Sequence, residues 1–452
     1  MFSSSKMIEC RRNTTSALVI SLPLIALGTW TVCSYLRLQF GRTIRKAISL
    51  LDPIKPTEEF IRSSIYGRPL IPLDEIEDFI TEKKGSVVDG AERIVSWHNG
   101  GTTPSKQKTK LCLVYIHGWS SCRQEGVPLP QHLASQLSAN LYCHRLPGHG
   151  RVSNEAGGPP EGEFLLQEAS ANQLFLSSVQ ALRIGLSLGD TVVILGMSTG
   201  GALATWLASL QCTQGSISGL VVVSPAFALA HPLYPVLKHT FATLRLLPFF
   251  SSLVRSCLLG VAIGKIKNAA VLNAWHQRYN TLTYPSEALL HLLDCIWEIE
   301  TINFELVSMP ALMIGNPQDH VVDFRVQAAN GFLRFGEVPK VLYCVTRADH
   351  PHCVASRNAS PSTIEEISNI ASLFLRANLL FLPGLPQMVT KPLHERISPP
   401  DQHDDEHDLN NNELHVFYSG LGGYARSMPS LASLSMSDLR AGLADITRPL
   451  DL

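Results

Sequence analysis

Charge is scarce in this chain of 452 residues: Asp, Glu, Lys and Arg together make up 17 % of it, and the formal net charge at pH 7 is −1. No basic stripe is long enough to neutralise a phosphate backbone, so nucleic acid is not expected as a partner. The ten cysteines never fall into a C-x-x-C spacing. That absence excludes the common zinc-binding and thioredoxin-like patterns. Internal repeats are also missing, which excludes a solenoid. What is present is a 45 % share of hydrophobic residues, enough for one large core with appendages.

One uncharged, strongly apolar run, from Ala17 to Leu36, stands out near the start of the chain. Its length, about 20 residues, matches the hydrocarbon thickness of a bilayer. Lys6, Arg11 and Arg12 precede it, and Arg37, Arg42, Arg45 and Lys46 follow it. Trp30 and Tyr35 lie near its far end, where an interfacial belt would sit. A cleaved secretory signal has a shorter apolar region of about 7–15 residues and a small-residue cleavage site. This run ends instead in Cys33-Ser34-Tyr35-Leu36-Arg37. Residues 1–47 are therefore expected to form an uncleaved membrane anchor, a single N-terminal transmembrane helix. The larger basic excess after the span favours the cytoplasmic side for the rest of the chain. Residues 48–90, with proline and mixed charge, read as a connecting segment.

Beyond residue 90, apolar runs alternate with helical patterns, as in a mainly parallel sheet covered on both faces. Thr191-Val192-Val193-Ile194-Leu195 leads into Gly196-Met197-Ser198-Thr199-Gly200, and an Ala/Leu-rich stretch follows. Strand, glycine-rich turn and helix are the parts of a nucleophile elbow. There a serine takes a strained backbone conformation that exposes its hydroxyl above the sheet. The following helix turns its positive N-terminus towards any oxyanion formed. An earlier buried run, 110–116, ends in His117-Gly118-Trp119-Ser120. Acyl transfer needs two backbone N–H groups aimed at the oxyanion, and Trp119 and Thr199 hold the two positions that would supply them. A third strand, 139–146, ends in Pro147-Gly148-His149-Gly150.

The ordered set His117-Gly118-Trp119, then Arg145-Leu146-Pro147-Gly148-His149-Gly150, then Gly196-Met197-Ser198-Thr199-Gly200-Gly201 resembles the α/β-hydrolase superfamily. Within it, the carboxylesterase and monoacylglycerol-lipase-like branch is the nearest in pattern. The resemblance spans roughly residues 85–380. It implies an α/β-hydrolase fold and a Ser–acid–His order along the chain, with Ser198 as nucleophile.

The strand 310–315 opens into a turn that offers two aspartates, Asp319 and Asp323. Asp319 lies in the turn, while Val321-Val322 carries Asp323 beyond it. The family pattern of Asp, one residue, then Val-Val falls on Asp319, so the resemblance implies Asp319 as the acid. The last strand, 340–346, opens into a loop with two histidines, His350 and His352. Pro351 restricts His350 to extended backbone. The spacing of His352 ahead of Ser360-Pro361-Ser362-Thr363 resembles the family's catalytic histidine, which implies His352 as general base. A helix is expected from about Ser362, with Ser362-Thr363-Ile364-Glu365 as a capping box and Ile364, Ile367 and Ile370 facing the core.

The hydrolase domain is thus expected over 91–380, with an insertion at 226–309 that is rich in Leu, Phe and Pro. Lys238, Arg245 and Arg255 break that insertion into pieces too short for a second span. It reads as a helical cap lining an acyl pocket. Residues 381–452 read as a disordered tail. Its His403 and His407 have the i, i+4 spacing of metal ligands, yet the run around them is acidic, polar and poor in helix formers, so no metal is expected. The expectation is a membrane-anchored serine hydrolase that cleaves a small-molecule carboxylic ester of lipid-like or apolar acyl type, without cofactor. The alternatives are an acyltransferase or thioesterase on the same fold, or an inactive hydrolase-fold interaction protein lacking a triad member.

Overall fold

The computed structural model of the chain describes residues 55–98, 106–153, 158–232, 234–244, 251–327, 331–357, 359–379, 414–418 and 425–427. Its main sheet contains β1 (Ile94–Ser96), β2 (Thr109–Ile116), β3 (Asn140–His144), β4 (Gly189–Met197) and β5 (Ile217–Val223). β6 (Ile266–Asn268) and β7 (Thr283–Pro285) form a separate antiparallel pair. β8 (Ala311–Gly315), β9 (Lys340–Cys344), β10 (Leu414–Tyr418) and β11 (Ala425–Ser427) complete the main sheet. The order is β1-β3-β2-β4-β5-β8-β9-β10-β11. Only the outermost pairs, β1–β3 and β10–β11, run antiparallel.

The apolar runs form strands because both of their faces are covered. Val192, Val193, Ile194 and Leu195 are all fully buried. Burial of each such side chain contributes about 1.5–3 kcal/mol. Alternate residues point to opposite faces. Leu113, Val193, Leu195 and Val221 meet the helices Leu129–Gln136 and Ile364–Leu379 on one face. On the other, helix Ala171–Leu188 presses Gly185 against Val114 and Val192. Cys112, Cys143 and Cys344 are buried in their strands, as expected of small apolar residues. Burial raises the thiol pKa of all three.

β3 lies on one side of β2 and β4 on the other. The chain therefore reverses direction across the sheet between β2 and β4, and ligands of such sheets bind at that switch point, beyond the C-terminal strand ends. The segment from 55 to 90 is strapped across the body by the Lys55–Glu298 ion pair (3.3 Å) and by the Ile71 N–H donating to Ser187 Oγ (3.1 Å).

Several expectations are adjusted. The stretch leading to β4 forms two helices, Glu163–Glu168 and Ala171–Leu188, divided at Ser170, which caps the second by accepting the Gln173 N–H. The capping box at Ser362 does not form: Ser362 lies in a 3₁₀ turn, and its hydroxyl and N–H both donate to Asp349. Ile364, Ile367 and Ile370 do face the core. Within 226–309 the β6–β7 pair accompanies the helices Tyr234–Leu244, Ser251–Ile263, Ala274–Tyr279 and Ala288–Ile299. The tail expected to be disordered supplies β10 and β11. Leu414-His415-Val416-Phe417-Tyr418 is rich in β-formers, and the edge of β9 offers unpaired backbone groups. The rest of the tail, His403 and His407 included, and the expected anchor at 1–47 lie outside the described residues. Among the described residues no helix is long and apolar enough to cross a membrane. No cluster of His, Cys, Asp and Glu there could hold a metal.

Two compact units can be distinguished. Residues 232–258 belong to the smaller, and there Lys238 lies over the Tyr234 ring and Arg255 over the Phe241 ring. All the site residues described next belong to the larger unit, 54–231 with 259–452.

Candidate active site

Ser198 stands at the turn between β4 and helix Thr199–Ala208, with φ 49° and ψ −116°. A non-glycine residue avoids that region unless its surroundings hold it there. Three backbone bonds do so: the Ser198 N–H donates to the Val223 carbonyl (2.9 Å), and its carbonyl accepts from Ala202 (3.1 Å) and Ala226 (3.0 Å). Gly200 lets the helix approach β2 so closely that a Cβ there would lie 2.1 Å from the Ile116 carbonyl oxygen. The strain at Ser198 and the missing side chain at Gly200 are one construction, which lifts the hydroxyl above the sheet.

His352 comes from the loop after β9. Its Nε2 accepts from the Ser198 hydroxyl at 3.1 Å, and its Nδ1–H donates to Asp319 Oδ2 at 2.8 Å. The imidazole is thereby fixed in one tautomer. Asp319, in the turn after β8, is itself held: its Oδ1 accepts the N–H groups of Val321 (2.8 Å) and Val322 (3.1 Å). The two competitors for these positions have other tasks. Asp323 caps the short helix Phe324–Val326 by accepting from Arg325 and Val326. His350 accepts the backbone N–H groups of His352 and Cys353 on its Nδ1, both at 3.3 Å. It thus shapes the loop that carries His352, and burial, followed by nearby charges, lowers its pKa.

The Trp119 and Thr199 N–H groups find no protein acceptor among the described residues. Thr199 is the first residue of its helix, where N–H groups have no partner within the helix. Gly118 is packed between Ser198 and Glu125: a Cβ on it would lie 3.0 Å from Ser198 Cβ and 3.1 Å from Glu125 Oε1. The Gly118 N–H is already engaged, donating to Glu125 Oε2 at 2.7 Å. Glu125 is only 8 % exposed. Burial pushes its pKa up, while the Gly118 N–H and His352 work against that rise. Sequence reasoning missed Glu125, since a glutamate in a polar loop carries no signal until the loop folds back on Gly118.

Three buried histidines lie behind this edge. His117 donates through Nδ1 to the Gly118 carbonyl and accepts the Leu146 N–H on Nε2, which ties the ends of β2 and β3 together. His144 lies between the Tyr142 hydroxyl and Ser177. His149 donates to the Pro147 carbonyl, and its ring meets Trp119 edge to face. Arg145, paired with Glu82, donates to the His149 carbonyl and holds this loop in place.

Residues 113–359, more than half of the chain, match the model of the alpha/beta hydrolase family, and the protein belongs to that family. No curated relative matches the chain. Among solved structures it is similar to one reported for LipS and LipT, two metagenome-derived lipolytic enzymes, at 19 % identity over 64 % of this chain and 99 % of that one, with a TM-score of 0.48. A soluble variant of monoglyceride lipase from Saccharomyces cerevisiae aligns at 14 % identity over 66 % of this chain and 97 % of its own, with a TM-score of 0.44. The monoacylglycerol lipase of Paleococcus ferrophilus aligns at 16 % identity over 63 % and 98 %, with a TM-score of 0.42.

Proposed function

We propose that this protein is a serine hydrolase that cleaves carboxylic esters with an apolar acyl group through a covalent acyl-enzyme. The observation that carries this reading is the hydrogen-bonded chain Ser198–His352–Asp319, built from the ends of three different strands. Ser198 Oγ attacks the ester carbonyl while His352 Nε2 takes its proton, and Asp319 stabilises the imidazolium that results. The negative oxygen of the tetrahedral intermediate is received by the Trp119 and Thr199 N–H groups. Collapse breaks the bond to the alcohol, which leaves with the proton from His352. Water then attacks the acyl-enzyme, gives its proton to His352 and releases the acid as Ser198 is re-protonated. No cofactor enters these steps.

The uncharged run from Ala17 to Leu36 supports single-pass attachment to a membrane, with the hydrolase domain on the cytoplasmic side. A bilayer at hand and the apolar 226–309 insertion favour lipid-like esters. A fluorophosphonate probe tests the chemistry: wild type should be labelled, and Ser198→Ala should stay folded and unlabelled. Labelling at another residue with Ser198 unmodified would overturn the nucleophile. Deleting residues 1–40 should free the chain from membranes and keep hydrolysis of a short soluble ester. Extraction of the full chain by alkaline carbonate would overturn the anchor.

A further inference from the structure

We infer that Glu125 is a positioning residue for this chemistry: its buried carboxyl accepts the Gly118 N–H and so fixes the His117–Gly118 peptide, from which the next peptide presents the Trp119 N–H to the oxyanion. This rests on the serine-hydrolase reading above. Two observations carry it. The 2.7 Å bond from the Gly118 N–H withdraws that donor from the cleft, while the next N–H along the chain, that of Trp119, has no protein acceptor among the described residues. Gly118 is also the point where the Glu125 carboxyl and Ser198 come closest. Both carboxyl oxygens and Ser198 Cβ lie within 3.2 Å of the place a Cβ on Gly118 would occupy.

The geometry around Glu125 suits a brace. It ends a 3₁₀ turn, Arg123–Glu125, and its own N–H donates to the Cys122 carbonyl, which fixes the direction of its side chain. A carboxyl this deep is retained at a desolvation cost, and that cost is offset only where its hydrogen bonds are made. Turning the His117–Gly118 peptide would break the bond to Glu125 and carry the following peptide, held at its carbonyl by His117 Nδ1, out of place with the Trp119 N–H. The carboxyl lies beside the reacting atoms and does not touch them, so its effect passes through the peptide.

The test uses the full-length chain with p-nitrophenyl butyrate as substrate and a butyryl trifluoromethyl ketone as inhibitor, whose adduct with a serine carries the oxyanion. Glu125→Ala should lower kcat by about 30- to 100-fold, somewhat less than outright removal of an oxyanion donor, with KM little changed. Affinity for the ketone should fall in step with kcat/KM. Glu125→Gln keeps an acceptor of the same reach and should restore kcat to within about tenfold of wild type. Glu125→Asp, one methylene short, should behave like the alanine variant and replaces it if that variant fails to fold. A glutamate that matters only for packing would lower the yield and Tm of both Ala and Gln variants without separating kcat from KM. Wild-type kcat in Glu125→Ala, or a Gln variant no better than Ala or Asp, would overturn the inference. If wild type neither turns over the ester nor reacts with a fluorophosphonate, the serine-hydrolase reading fails instead.

Discussion

The two halves of the candidate site are held by different means. On the β2–β4 side, position is set chiefly by close backbone packing, with Glu125 as a side-chain brace: a residue at φ 49°, a helix that touches β2 at Gly200, and a glycine wedged between Ser198 and Glu125. On the β8–β9 side it is set by side chains that accept backbone N–H groups. Asp319 takes those of Val321 and Val322, and His350 takes those of His352 and Cys353. Backbone construction tolerates almost no change, because neighbouring main chain cannot move aside. Side-chain construction fails by degrees, since a lost acceptor loosens a loop without filling its space.

On the serine-hydrolase reading, the largest effects fall where a side chain reacts directly. His352→Ala should lower kcat by about 10⁵-fold or more, since nucleophile and base act as a unit. Asp319→Asn, which favours the wrong imidazole tautomer, should cost about 10³- to 10⁴-fold. The neighbouring Asp323→Ala should leave turnover in place and cost only about 1 kcal/mol of stability through its lost cap. If the two aspartates exchanged these outcomes in steady-state assays and thermal melts, the acid would move to Asp323.

Next comes the backbone side. Gly118→Ala puts a methyl 3.0 Å from Ser198 Cβ, tighter than ordinary contacts allow, so the peptide or the serine must shift. A displacement of that order should lower kcat by about 10²-fold while KM stays near wild type. His350→Ala, on the side-chain half, should be milder, about tenfold, because it removes two long hydrogen bonds and adds no clash. Equal losses from Gly118→Ala and His350→Ala would erase the distinction between the halves.

The same distinction explains what could be read in advance. The glycines at 196 and 200 are written into the sequence because a Cβ there would lie 2.4 and 2.1 Å from backbone oxygens, so the Ser198 side was legible from motif and strand context. The β8–β9 side was legible only as a choice, Asp319 or Asp323 and His350 or His352. Which acceptor caps a helix and which faces an imidazole depends on a few torsions that local sequence does not encode. Glu125 lies beyond both signals, since its role depends on a 3₁₀ turn folding it back on Gly118. β10 and β11 were hidden by the polar run before them, although Leu414-His415-Val416-Phe417-Tyr418 has strand-forming composition. Ser362 shows the reverse case, a good capping pattern overruled by a carboxylate from another loop, Asp349.

The last effect concerns protons, and it bears on stability alone. His117, His144 and His149 all support the β2–β4 side, and burial is the first cause lowering each pKa: well below the usual value for His117, to about 3 for His144 and about 4 for His149. An unfolded histidine titrates near 6.5, so below that pH the unfolded chain binds protons that the folded chain refuses. The stability these three contribute is fully present above pH 6.5 and is lost as the pH falls towards their folded values. The loss is about 1.4 kcal/mol per pH unit for each histidine kept neutral. Glu125 acts in the opposite sense, because its raised pKa lets the folded state take a proton first and gain stability as the pH drops. It is one group against three, so the net slope follows the histidines. Urea unfolding of the chain should therefore show stability falling from pH 6.5 to pH 4.5, and His144→Gln should reduce that slope by one proton's worth while lowering stability at pH 7. A flat profile over this range, or an unchanged slope in His144→Gln, would mean that these histidines are charged or hydrated in the folded protein and do not brace the β2–β4 side.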